Sequence, residues 1–459
     1  MTQEKLNQQL FAALNASEIQ VEAINALLQS GADVNATDDA GYTPLMHACS
    51  RRAPEALAVV ALLLDNGANA RAVTPQGYTA LYMAIRHQAS AYMAEMLLLH
   101  DEDAAVFGKY ATFCLLTAVV NEQTDLLRLL LETESVFEAA AQQENDKEDY
   151  NGYHSEVFAD AYFDEELRLI DKALLVAAKD CENLEMVALL LEYGANANSF
   201  TAEGCTIFAS VVGDLLAPSD TLGDKSLEPY ALDLITLLHE EGANPFLKKV
   251  CTSAWEHAVY ENNTQLVERF LSEDFDMKLL NLRCGYAVFP WAMRHITRPE
   301  LLRLFLARGA DVNTPGTDGK TPLLIAVERA GVAGLYKGTG FRKLREANLE
   351  LVRCLLAAGT EANLPSGGVF PIVSAARALP GTGLATLQAF ASATAQGESR
   401  VTPLSVALYY ADAVCAELLL SAGANPHTPA CGFTPMQLAA ALIDPTCCNL
   451  LRTPTTPQN

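Results

Sequence analysis

Positive charge is what this 459-residue sequence has least of: 31 Lys and Arg stand against 56 Asp and Glu, a formal charge of −25. Such a balance disfavours nucleic-acid phosphates and anionic membranes as partners and favours a protein with a basic surface. Long apolar runs are also missing. The longest, FCLLTAVV from Phe113, is far short of the ~18 residues a membrane span needs, although half of the residues are hydrophobic. The start, MTQEKLNQQLFAALNAS, has no basic segment followed by an apolar stretch and a cleavage site. We therefore expect a cytoplasmic protein without a secretory signal, with leaderless export left open. Cys-x-x-Cys is absent, and so is any Cys and His pairing at zinc spacing. The eleven cysteines are scattered singly apart from Cys447 and Cys448. Reduced thiols and no metal are expected.

Catalytic patterns are lacking too. None of the eight histidines lies in His-Glu-x-x-His, and Glu256 with His257 is the nearest acid and imidazole pair. Adjacent helical residues point about 100° apart and do not share one proton. There is no Gly-x-Ser-x-Gly, no dinucleotide fingerprint and no Gly-Lys-Ser/Thr. The sequence predicts a non-enzyme with no cofactor.

What the chain does have is one junction, written many times. In RLFLARGADVNTPGTDGKTPLLIA (303–326), Leu304, Phe305 and Leu306 close an apolar helix and Gly309 supplies the left-handed backbone that ends it. Thr321 then offers a hydroxyl to the free amides of a new helix, and Pro322 a preset first-turn angle. Versions of the junction begin at Leu27, Leu62 and Leu418, with partial copies at Gly194, Gly242 and Gly359. Gly31 and Gly67 are 36 residues apart, Gly242 and Gly309 67, and Gly359 and Gly423 64.

In DDAGYTPLMHA (38–48) and GTDGKTPLLIA (316–326) the Gly, Thr, Pro, Leu and Ala spacing resembles the ankyrin-repeat family, whose unit is about 33 residues. The histidine that usually follows Thr-Pro-Leu is replaced by Met46, Leu324 and Ser405, and His47 comes one place late. The resemblance implies an all-α fold: one ankyrin-repeat solenoid over 1–459, of about eleven helix-turn-helix units with hairpin-like fingers. Length alone would suggest two or three globular domains, but a repeat array grows without closing a new core.

Three segments interrupt the period. Residues 144–166 fall between units, on the side where the family holds partners. They carry nine carboxylates and one Lys, interleaved with Tyr150, Tyr153, Phe158, Tyr162 and Phe163. Glu148, Asp149, Asp160 and Asp164 are expected to steer a basic partner, and the aromatics to anchor it. Residues 213–229 and 330–348 each split a unit's two helices and are expected to project from the opposite edge. The latter, with Lys337, Arg342, Lys343 and Arg345, reads as a basic flap that tucks onto the acidic body.

On the family pattern, Asp39, Tyr42, Gln76, Tyr78, Asp318 and Lys320 fall at finger tips. Arg51, His87, Lys179, Asp180, Tyr260, Glu261, Arg294, His295, Tyr409 and Tyr410 fall near the exposed ends of first helices. The expected function is a non-catalytic scaffold, monomeric when free, that binds or inhibits a basic protein. An immunity protein neutralising a bacterial toxin is the sharper form, which supposes a bacterial origin. The alternatives are a secreted effector or adaptor recruiting host proteins and, more remotely, an enzyme with a pocket near the Ala330 insertion.

Overall fold

Short amphipathic helices cannot bury an apolar face alone, and this chain solves the problem by stacking them in pairs. The computed structural model describes residues 2–87, 91–100, 111–132, 164, 167–216, 227–271, 277, 281, 284–336, 338–365, 382–395, 400–442 and 445–452. It divides into two compact units, the first ending at Ala254 and the second running from Trp255.

Among the described residues the first unit contains six helix pairs: α1 (Gln3–Leu14) with α2 (Val21–Gln29), α3 (Pro44–Cys49) with α4 (Ala56–Asp65), α5 (Ala80–Arg86) with α6 (Ala91–His100), α7 (Ala111–Val120) with α8 (Thr124–Glu132), α9 (Leu169–Asp180) with α10 (Leu184–Glu192), and α11 (Ile207–Leu216) with α12 (Pro229–Glu240). First helices pack on first helices from α1 through α11, and second on second from α2 through α12, which gives two layers with the core between them. Leu10, Ile24, Leu63, Leu130, Val176 and Phe208 lie in that core.

α13 (Ala254–Tyr260) straddles the division. The second unit continues with α14 (Thr264–Phe270), α15 (Val288–Ala292), α16 (Pro299–Ala307), α17 (Pro322–Leu335), α18 (Thr339–Ala357), α19 (Thr382–Ala395), α20 (Pro403–Tyr409), α21 (Ala413–Ser421), α22 (Pro435–Ala440) and α23 (Thr446–Arg452). Here α15, α17, α20 and α22 form one layer, and α16, α18, α21 and α23 the other. Among the described residues there are isolated bridges, Phe200 with Thr206 and Ala430 with Phe433, and no longer strand. Each unit is, in its described residues, an all-α stack of helix pairs. No helix among the described residues is long and apolar enough to cross a membrane.

The junction chemistry is as its sequence expects. At the end of α16, Gly309 has φ 78°, where a Cβ would cost about 1 kcal/mol. The Gly309 and Ala310 amides donate to the Leu306 and Phe305 carbonyls. The Thr43, Thr79 and Thr321 hydroxyls accept from the Met46, Tyr82 and Leu324 amides at 3.2–3.4 Å. Thr402 makes a reciprocal capping box with Ser405, the residue standing where the family has histidine. Thr321→Ala should therefore lower stability by about 1 kcal/mol, read from the urea midpoint. An unchanged midpoint would show that this cap contributes nothing.

A second device runs between repeats. The Asn35 side chain donates to the Gly67 carbonyl at 3.0 Å and accepts from the Asn69 amide at 2.7 Å. Asn198 does the same with Gly242 and Asn244, and Asn363 with Gly423 and Asn425. The asparagine four residues after Gly31, Gly194 and Gly359 thus staples one finger to the next.

Four expectations need correction. Cys205 and Cys251 form a disulfide, so the cysteines are not all reduced thiols. They are 46 residues apart in sequence, but they lie on successive fingers, and finger stacking brings their Cα atoms to 5.1 Å. Next, the described residues of 330–348 are mostly helical rather than a separate flap. They lengthen α17 to 14 and α18 to 19 residues, against 7 and 9 in α20 and α21. Arg345 does tuck inward, onto the buried Asp412 at 2.7 Å. Asp164 is not a solvent-facing carboxylate either. It is buried and accepts from the Ala202 amide at 2.9 Å. Finally, Tyr409 and Tyr410 are fully buried rather than exposed, because Phe390 packs on Tyr409 at 5.2 Å and α17 packs against α20.

Candidate binding surfaces

In the first unit the fingers are held rigid by their own side chains. Asp38 accepts from the Ala40 and Tyr42 amides at 3.0 and 2.9 Å and lies 2.8 Å from Nε2 of His47. Burial raises its carboxyl, but these hydrogen bonds and the His47 charge together hold it below the ordinary value. On this frame an aromatic row is laid out from finger to helix. Tyr42 stacks on Tyr78 at 6.3 Å, Tyr78 on Tyr82 at 4.8 Å, and Tyr82 meets Phe113 at 5.4 Å. Tyr42 and Tyr78 are half-buried and Tyr82 is closed off. Arg86 donates to the Tyr82 hydroxyl at 2.7 Å with its guanidinium 5.8 Å from that ring.

Asp39 and Gln76 stand exposed on neighbouring fingers, and Asp180 is exposed at the end of α9. Arg51 is tied to the Ala16 carbonyl, and Lys179 bonds Ser210 at 2.9 Å and Asp214 at 2.5 Å. Both fasten neighbouring repeats. His87 is half-buried; burial and then the charges of Arg86 and Arg52 lower its pKa, which leaves a neutral ring at pH 7.

The second unit has a comparable cluster. Tyr260, 43% exposed, presents its ring edge-on to His295 at 4.3 Å and to Trp291 at 5.5 Å. Trp291 lies 5.6 Å from Tyr286, whose hydroxyl donates to the buried Glu256 at 2.7 Å. Burial, and then that carboxylate, push the Tyr286 phenol well up. His295 is lowered by burial and by Arg329 and Arg294. Arg294 pairs with Asp318 at 2.6 Å, and Lys320 with Glu328 at 2.6 Å inside a largely closed site. Glu261 is exposed beside Tyr260.

The structure thus brings Tyr42 to Tyr78, Tyr260 to His295, and Arg294 to Asp318, all named from the sequence. It adds Tyr82, Arg86, Tyr286 and Trp291. The aromatic spacing in GYAVFPWAMRH (285–295) was the available signal for the last two. Glu148, Asp149, Tyr150, Tyr153, Phe158, Asp160 and Tyr162 lie outside the described residues. Among the described residues no three His, Cys, Asp or Glu side chains are grouped to hold a metal ion.

Residues 10–108 match the family model for ankyrin repeats (3 copies). No curated protein matches the chain. Among solved structures, the chain is similar to the ankyrin repeat domain of Bcl-3, a member of the IkappaB protein family, at 20% identity and a TM-score of 0.36. That match covers 54% of this chain and 92% of Bcl-3's. It is also similar to the ankyrin repeat domain of human ASB11, at 17% identity and a TM-score of 0.33, over 61% of this chain and 96% of that one. Residues 10–108 thus carry ankyrin repeats, a scaffold for protein–protein interaction.

Proposed function

We propose that this ankyrin-repeat chain is a non-catalytic, stoichiometric binder of a protein with a basic surface, held on the fingers and the ends of the first helices. The observation that carries the reading is the half-open aromatic cluster of Tyr260, Trp291 and His295, fixed on helices and flanked by the Arg294–Asp318 pair and Glu261. Rigid aromatics with one solvent-facing edge bury much area at little entropic cost, which is how interface hot spots are built. The charge of −25 supplies the steering field. An inhibitor that caps a basic toxin, as an immunity protein does in bacteria, is the form these features fit best, and it acts in the cytoplasm as a monomer. Residues 144–166, apart from the buried Asp164, add carboxylates and aromatics to the same task.

The test is affinity capture with the full chain from its source cell, followed by kinetics on the captured protein. Association should slow steeply with salt, because the screening length falls from about 10 Å at 0.1 M to about 3 Å at 1 M. Asp39→Asn, Asp180→Asn and Glu261→Gln together should lower the on-rate. Tyr260→Ala should raise the off-rate by up to about 30-fold, equivalent to ~2 kcal/mol. A salt-independent on-rate with unaltered affinity in both variants would remove this face from the reading.

A further inference from the structure

The lengthened helix pair of the second unit holds a feature that the finger face does not use. Between the C-terminal end of α17 and the N-terminal half of α18 lies a cavity of about 260 Å³, walled by Val332, Ala333, Tyr336, Phe341 and Leu344 and reaching Asn348. α17 begins at the finger and carries these walls at its far end, about 20 Å away at 1.5 Å per residue.

Tyr336, Phe341 and Leu344 are 54%, 43% and 37% exposed, and the Tyr336 and Phe341 rings stack at 4.9 Å. Three large apolar side chains left in water around one cavity mark a contact site. The cavity is smaller than the ~300–1,000 Å³ pockets that hold drug-sized ligands, and suits a single large side chain.

Its polar end is more telling. Asn348 is 0% exposed, and among the described residues neither Nδ2 nor Oδ1 has a hydrogen-bond partner. Buried carboxamides are almost always satisfied, and a leucine of similar size would have packed here without that penalty. The other polar groups at the cavity are engaged: Arg329 donates to the Met293 and Ile296 carbonyls at 2.6 Å, and Glu328 binds Lys320. Phe341, Leu344 and Asn348 are spaced i, i+3 and i+7 along one face of α18.

We propose that this cavity binds a peptide segment of a partner protein, taking one large apolar side chain between Tyr336, Phe341 and Leu344. Asn348 donates through Nδ2 to a backbone carbonyl of that segment and accepts at Oδ1 from a backbone N–H. A carboxamide matches a peptide group because each presents one donor and one acceptor side by side. The segment is acidic around its anchor. Arg342 and Lys343 are exposed beside Phe341 and Leu344, and Glu346 is the one acidic residue of 336–348.

Titration of the full chain, ¹⁵N-labelled at asparagine, with the blocked tripeptide acetyl-Glu-Phe-Glu-amide tests this. Saturable binding should shift the Asn348 side-chain amide resonances, and acetyl-Lys-Phe-Lys-amide should bind at least 10-fold more weakly. Asn348→Leu should weaken the acidic peptide at least 10-fold while its urea midpoint stays level or rises. Leu344→Trp, at an exposed position, should fill the mouth and abolish binding with unchanged circular dichroism. The proposal is overturned if Asn348→Leu binds as wild type does or lowers the midpoint, if Leu344→Trp leaves binding intact, or if the lysine peptide binds as well as the acidic one. Failure here leaves the finger face untouched, since Tyr260 and Asp39 have no part in it.

Discussion

Gly331→Ala should destabilise the protein by about 2 kcal/mol, although alanine is the better helix former by roughly 1 kcal/mol. Gly331 lies inside α17, where that helix crosses α20. A Cβ there would fall 2.6 Å from both Cβ and Cγ of Tyr410 and 2.8 Å from its Cδ2. Those atoms cannot step aside. Tyr410 is fully buried and meets Tyr409 edge-on at 5.3 Å, and Tyr409 is backed by Phe390. The two helices must separate by the better part of an ångström, or the tyrosine must leave its rotamer, and overpacking of this kind costs about 1–3 kcal/mol and occasionally more. Propensity and sterics thus have opposite signs here, and sterics is the larger. The urea midpoint should fall at constant m, and Gly331→Leu should fall further. A rise for Gly331→Ala would mean that α17 and α20 have room between them.

Asp171→Ala is expected to cost about 2 kcal/mol. The carboxylate is buried in α9 and accepts from Nε and Nη2 of Arg168 at 2.8 and 2.9 Å, from the Asn196 amide at 2.8 Å, and from the Ser199 hydroxyl at 2.8 Å. It ties the helix to the finger that follows α10. Removal leaves the Asn196 amide and the Ser199 hydroxyl, on a finger that is partly open to water, without their acceptor, at about 1 kcal/mol each. The ion pair itself contributes little, because the Arg168 side chain is 61% exposed and returns to water when released. Arg168→Ala should therefore cost well under half as much as Asp171→Ala, and the double variant little more than Asp171→Ala alone. Equal losses from the two single variants would place the energy in the charge pair. Asp171→Asn, which keeps the volume and one acceptor, should fall between.

Neither position stands out in the sequence. Gly331 reads as one glycine of an interrupting segment and Asp171 as one more carboxylate among 56 acidic residues. Their effects come from Tyr410 and from the 196–199 finger, 79 and about 25 residues along the chain.

What the sequence determined by itself is the repeating unit: where helices end, where they begin, and that they come in pairs. Gly309 sets a backbone angle on its own, and Thr321 caps an amide three residues away, so both can be read in a short window. The resemblance to the ankyrin pattern implied solvent-facing positions for Tyr42, Tyr78, Tyr260, His295, Arg294 and Asp318, and the structure keeps them at least partly open. It could not tell Tyr260, whose ring edge meets water, from Tyr409 and Tyr410, which hold the same place in their repeat but are sealed. It could not foresee the Cys205–Cys251 disulfide, the asparagine staples or the unsatisfied amide of Asn348. Those were decided only by tertiary structure, because burial and hydrogen-bond satisfaction belong to whichever neighbour the stack brings alongside. That neighbour is a repeat or more away in sequence, and its side chains leave no trace in the local pattern.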